Sequence, residues 1–216
     1  MTEERSPLLV LGAGGHCRAV LAVLRHHPEW AVAGILDRVD TTRGERIDTV
    51  EILGSFERLE AMARLGMKGV ALALGDGAER AAVLEKALGL GLAAPVLRHG
   101  SAIIDCGAEA QPGSLLCAGA ILGPFARLGR GAILNTGAIL DHESHLGAFS
   151  HACPGVRVAG RVNIGDHSVI GIGASIIDRL TIGSRVSIGA GAVVITNVPD
   201  GAVAVGVPAR IIRYAD

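Results

Sequence analysis

The chain has 216 residues, of which 50% are hydrophobic but only 2% aromatic, with 31 glycines and a formal net charge of -1. So few large rings argue against an ordinary globular core, where they supply much of the buried area, and the balanced charge leaves no basic surplus for nucleic acid. The four cysteines form no CxxC pair, Met1 to Leu11 is too short and too acidic for a secretory signal, and no apolar run reaches the length that spans a bilayer. A reduced, cytoplasmic protein without membrane insertion is expected.

The first half alternates strand and helix signals. Leu8 to Leu11 is an apolar run that ends in Gly12, Ala13, Gly14, Gly15 and His16, and an amphipathic segment follows from about Cys17 to His26. Ala31 to Leu36 is a second run closing on Asp37, Phe56 to Leu65 is helix-like, and Val70 to Leu74 is a third strand before Gly75, Asp76 and Gly77. A further helix is expected over Ala78 to Leu88, ahead of Pro95, Val96 and Leu97. This alternation predicts a small parallel α/β domain over residues 1–99, of the Rossmann-like kind that receives a phosphate at a glycine-rich turn.

From Ile104 to Val194 the pattern changes. An aliphatic or alanine side chain stands at every sixth position, and the residue two places before it is usually Ala or Ser, as in Ala120, Ala138 and Ser150. A short unbroken repeat of buried rungs is a solenoid signature. With three hexapeptides to a coil, the 16 repeats give about five coils at a strand spacing of roughly 4.8 Å. Residues 100–216 therefore form an all-β parallel helix, and the prolines and glycines of NVPDGAVAVGVPARII make a terminal cap.

The repeats resemble the hexapeptide-repeat acyltransferases, which wind a left-handed parallel β-helix. The GAGGH turn, the run NTGAILDHESHLGAFSHACPG and the ending GAVAVGVPAR are similar to the sugar-nucleotide acetyltransferases that join a Rossmann-like domain to that helix. That group includes UDP-4-amino-sugar N-acetyltransferases, perosamine N-acetyltransferases and sialic acid O-acetyltransferase-like proteins. The resemblance implies acetyl-CoA as co-substrate, no metal, a nucleotide sugar as acceptor in bacterial surface-glycan synthesis, and a homotrimer with its active site between neighbours.

Acetyl transfer from a thioester to an amine, or secondarily a hydroxyl, needs a base near neutral pH, an acceptor that orients it, and a donor for the oxyanion. The segment Asp141, His142, Glu143 holds an imidazole between two acids. The resemblance assigns the base to His142 and the basicity-raising role to Glu143. Eighteen residues on, Gly160 stacks on His142, leaving its N–H approachable as the oxyanion donor that the family uses there. Family members line the acetyl-CoA groove with residues matching Asn135, His151, Ile172 and Ala190, the last often glycine; Ile172 and Ala190 share one column. Against this stands the bland reading that Asp141 and Asn135 simply serve turns and that His99, His145 and His167 are solvated.

In the first domain the family's sugar-nucleotide cradle matches Gly14, Gly15 and His16, following Gly12. Asp37 sits where dinucleotide folds place a ribose-binding acid, whereas Cys17 breaks the GxGxxG fingerprint. Arg38 replaces a second acid of the UDP-4-amino-sugar enzymes; it either meets a phosphate or carboxylate of the acceptor or points to solvent. Gly75, with Asp76 and Arg80, resembles a looser part of the same pocket. Three other functions compete: a γ-carbonic-anhydrase-like metal lyase using His142, His145 and His151, an NAD-dependent oxidoreductase, and a non-catalytic sugar-nucleotide-binding scaffold. Metal content separates the first and thiol release from acetyl-CoA the last.

Overall fold

The computed structural model describes residues 5–214, so the first four residues of the segment read against a secretory signal lie outside it. The chain divides into two compact units, Met1–Arg98 and His99–Asp216. In the first, β1 (Ser6–Leu11), β2 (Trp30–Asp37), β3 (Arg46–Ile47), β4 (Val50–Ser55) and β5 (Gly69–Leu72) form one sheet in the order β3-β4-β2-β1-β5. All neighbours are parallel except β3 against β4. Because β1 is central, Leu8, Leu9, Val10 and Leu11 are all fully buried, as a parallel strand covered on both faces requires. The crossovers carry α1 (Gly15–Leu24), α2 (Leu59–Arg64) and α3 (Gly77–Gly89).

Three local expectations change. The β3–β4 hairpin was not expected; it closes over Asp48, whose φ is 56°. The helix expected over Phe56 to Leu65 begins as a 3-10 turn, Phe56–Arg58, before α2. The first helix starts two residues early, at Gly15, directly on the glycine turn.

The second unit is the left-handed parallel β-helix. Among the described residues, sixteen two-residue strands run from Ile103–Ile104 to Val193–Val194 and stack into three sheets. Each residue pairs with the one 18 positions later, as Ile139 does with Arg157 and His145 with Asn163. The first face runs from Ile103–Ile104 to Val193–Val194, the second from Glu109–Ala110 to Thr181–Ile182, and the third from Leu115–Leu116 to Ser187–Ile188. Second strand residues point inward, and Leu116, Leu122, Leu128, Leu134, Leu140 and Leu146 are completely buried.

At three of the four serines in the small inward position the hydroxyl ties coils together, whereas the buried Ser114 hydroxyl meets no partner among the described residues. Ser144, Ser150 and Ser168 each donate to a carbonyl 15 residues on at 2.8 Å and accept an N–H 18 residues on at 2.8 to 3.0 Å. These buried hydroxyls are thus paired, as burial demands. At the corners one residue, three before each rung from Ala110 to Val194, takes a left-handed backbone. Glycine fills many of these positions, but Phe125, Glu143, Phe149, Arg161, His167, Arg179 and Arg185 fill others, with φ of 54 to 60°. Ala202–Val205 then continues the third face beside Ser187–Ile188 and turns back antiparallel at Arg210–Tyr214, closing that end.

Candidate active site

The corner between the first and second faces carries the histidine. His142 stands in the turn, its backbone N–H held by its neighbour Asp141 through Oδ1 at 2.7 Å. Asp141 therefore serves the turn. Glu143 occupies the left-handed position, which swings its carboxylate beside the ring, and Oε2 accepts from His142 Nδ1 at 3.1 Å. With an ionised carboxylate as acceptor, Nδ1 carries the proton and Nε2 presents its lone pair. Glu143 is held ionised below the usual carboxylate range, first by Arg161 and then by His142. Arg161 Nε donates to the same Oε2 at 2.9 Å.

Gly160 lies directly beneath the ring. A β-carbon there would stand 2.2 Å from His142 Nε2 and 2.4 Å from Cε1, so the histidine adopts its position only over a glycine. The next coil locks to this one where Arg161 N–H donates to His142 C=O at 2.9 Å. No acceptor meets the Gly160 N–H among the described residues. Beside this corner a cavity of about 600 Å³ on the second face is lined by Phe125, Arg127, Glu143, His145 and Asn163 among others.

The residues matched to an acetyl-CoA groove lie elsewhere on the same coils. Asn135, Ile172 and Ala190 occupy the corner between the third and first faces, and His151 opens a strand of the third. Asn135 Oδ1 accepts from Thr136 N–H at 2.7 Å, which turns Nδ2 toward His151 Nε2 at 2.9 Å. Asn135 is 8% exposed, whereas Ile172 is 61% exposed and Gly191 N–H binds its carbonyl at 2.8 Å. Within the chain the first face separates this corner from His142. His145 sits on the second face and His151 on the third, and no cluster of three or more metal-ligating side chains occurs among the described residues.

In the first unit, Ala13, Gly14, Gly15, His16, Asp37, Arg38, Val39 and Gly75 line a cavity of about 390 Å³ at the carboxyl ends of β1, β2 and β5. Gly14 and Gly15 leave open space where side chains would stand, at the start of α1, the setting in which backbone N–H groups receive an anion. Gly12 precedes this turn with φ 113°, and a β-carbon there would stand 2.8 Å from Ala73 O, so glycine is required for the close packing of the end of β1 on the residue after β5. Asp37 reaches back across the turn, its Oδ1 accepting from Ala13 N–H at 3.2 Å.

Arg38 lines the same cavity with its side chain 61% exposed, and its Nε and Nη2 fork the carboxylate of Glu79 on α3. Beneath them Arg80, 1% exposed, donates through Nη1 to Leu74 C=O at 3.0 Å and Gly75 C=O at 2.7 Å, which fixes the cavity rim. His16 is pushed down to about 4 by burial and then by Arg80, so its imidazole is neutral at physiological pH. No helix among the described residues is long and apolar enough to cross a membrane.

An α/β unit with a cavity at its glycine turn, followed in the same chain by a left-handed β-helix that carries a His–Glu pair at one corner, is the build of the hexapeptide-repeat transferases. The model of the PglD N-terminal domain matches residues 7–87. The acetyltransferase domain of PglB from Neisseria gonorrhoeae, in complex with acetyl coenzyme A, is 32% identical over 97% of this chain and 100% of that one, with a TM-score of 0.89. A variant of perosamine N-acetyltransferase from Caulobacter crescentus, in complex with CoA and GDP-perosamine, is 32% identical over 96% and 97%, with a TM-score of 0.91. WeeI from Acinetobacter baumannii is 26% identical over 96% and 100%, at 0.86. No curated protein sequence matches the chain. The chain belongs to the hexapeptide-repeat sugar-nucleotide acetyltransferase family.

Proposed function

We propose that this protein transfers the acetyl group of acetyl-CoA to an amine of a nucleotide-activated sugar, with a hydroxyl as the second choice, in bacterial surface-glycan synthesis in the cytoplasm. The observation that carries the mechanism is the His142 ring, oriented by Glu143 and seated on Gly160. His142 Nε2 takes a proton from the acceptor nitrogen as that nitrogen bonds to the thioester carbon. The carbonyl oxygen, now an oxyanion, faces the Gly160 N–H. Collapse of the intermediate breaks the C–S bond, and the CoA thiolate leaves with the proton returned by His142. Glu143 keeps Nδ1 protonated and stabilises the imidazolium between the two steps.

Donor and acceptor follow from the relatives, one solved with acetyl coenzyme A and another with CoA and GDP-perosamine. In this chain the cavity around Gly14, Gly15, His16, Asp37 and Gly75 takes the nucleotide sugar, and Asn135, His151, Ile172 and Ala190 take acetyl-CoA. A homotrimer completes the site. The outward column of the first face is Ile103, Ile121, Ile139, Arg157, Ser175 and Val193, against Glu109, Arg127, His145, Asn163 and Thr181 on the second. Three-fold closure around the apolar face removes it from water. It also sets the His142 corner of one protomer against the Ile172 and Ala190 corner of the next.

The test is His142→Ala with acetyl-CoA and a panel of UDP-, dTDP-, GDP- and CMP-linked amino sugars, read by thiol release and product mass. Loss of a general base lowers turnover by about 10²–10⁴-fold. Near-wild-type turnover in a folded protein overturns the mechanism; ligand binding without any thiol release by the unaltered chain overturns the activity.

A further inference from the structure

We infer that Arg161 is a positioning residue for the His142–Glu143 pair: from the next coil of the same corner it grips the carboxylate oxygen that receives the His142 Nδ1 proton, and so sets the orientation and proton affinity of the base. The inference rests on the reading of His142 as that base. Glu143 and Arg161 are 18 residues apart, and both occupy the left-handed corner position, with φ of 56° and 60°. Such a backbone strains a side chain, and glycine holds the same kind of position at Gly107, Gly119, Gly137 and Gly155. Charged residues of opposite sign in consecutive turns bring Nε and Oε2 to 2.9 Å, while Oε2 also meets His142 Nδ1 at 3.1 Å.

Arg161 N–H donates to His142 C=O, so the guanidinium moves with the turn that carries the base. The next arginine of the column, Arg179, is engaged by Asp178 at 3.2 Å and does not compete for Glu143. Of the other ionisable groups around His142, Asp141 is committed to the His142 backbone N–H, and His145 on the adjoining face meets Asn163 Oδ1 at 3.1 Å. An ionised Glu143 alone draws the imidazole toward its protonated form. Arg161 cancels part of that field while fixing the plane of the carboxylate, so its removal changes both the orientation of the ring and its affinity for a proton. Glu143 and Arg161 are 47% and 51% exposed at the side chain, so the effect is moderate.

The experiment compares Arg161→Gln, Arg161→Gly and Arg161→Lys in the full-length chain. The glycine variant suits the left-handed turn and guards against loss of fold. The pH dependence of kcat/KM is measured together with the imidazole NMR titration of His142, assigned by its loss in His142→Ala. With Gln or Gly, the expected result is an upward move of the His142 titration and of the acidic limb of the rate profile by about half a unit to one unit. The plateau falls several-fold, KM for acetyl-CoA is unchanged, and Lys brings the limb back toward its original position. An unmoved His142 titration in both neutral variants overturns the role of Arg161 and leaves the activity intact. A titration that moves while the rate limb stays fixed supports the coupling and instead overturns His142 as the base.

Discussion

Replacing Gly160 by alanine sets a methyl carbon 2.2 Å from His142 Nε2, closer than any real contact, so the imidazole has to leave its seat. Gly160 is absent from the left-handed positions, and alanine therefore brings no backbone strain of its own. The two facts separate site from fold. A ring displaced by about 1 Å or more costs roughly 10²-fold in rate, while the melting temperature of Gly160→Ala stays near that of the parent. Activity and thermal unfolding of one preparation check both; full turnover would show that the ring is not used in this pose. The same residue-scale logic applies to Gly12, where Ala73 leaves no room for a β-carbon, and to Arg38, whose guanidinium forks Glu79 at the cavity rim. Neither relation is visible along the sequence, because each depends on which residues β5 and α3 bring alongside.

At the scale of the strand-turn-helix element, α1 carries a partly buried histidine as its second residue. His16 has its pKa lowered from 6.5 to about 4 in the folded chain, by burial first and Arg80 second. Below pH 6.5 the unfolded chain binds a proton there that the folded chain refuses, so stability falls as pH drops from about 6.5 to about 4 and levels off beneath. The loss is on the order of 2 kcal/mol after allowance for partial exposure. Urea unfolding followed by Trp30, the one tryptophan of the chain, reports on this unit; His16→Gln should flatten the acid slope, and an identical slope in that variant would sink the assignment. Legibility differs element by element for similar reasons. The start of α3 is readable because Asp76 caps it through Glu79 N–H at 2.8 Å, whereas α1 starts on Gly14, which has no capping side chain to read. The β3–β4 hairpin lies in a short polar stretch whose few apolar residues, Ile47, Val50, Ile52 and Leu53, give too brief an alternation to declare strands. In the β-helix the six-residue ladder fixes register, and it aligns Gly160 with His142. It also aligns Arg161 with Glu143, a pairing of opposite charges that stood in the sequence but gained meaning only once both were seen in left-handed turns.

For the whole molecule, His142 stands apart from Ile172 and Ala190 by the full width of the first face, and the proposed trimer is what would bring the two corners together. A site shared between neighbours needs one corner from each of two protomers, and cyclic closure gives every protomer both duties. His142→Ala spoils only the first corner, and Ala190→Trp, which fills an exposed position of the other corner, spoils only the second. Each homogeneous variant is expected to be nearly inactive. Co-expressed in equal amounts and assembled at random, they leave a site intact when it draws its histidine from the Ala190→Trp protomer and its groove from the His142→Ala protomer. That combination restores about one quarter of the parental activity. Mixing the purified variants without dissociating them restores none, which separates true subunit exchange from contamination. If acetyl-CoA were held instead by the protomer that supplies the base, every mixed assembly would remain dead, and the shared-site trimer would have to be abandoned even with His142 still the base.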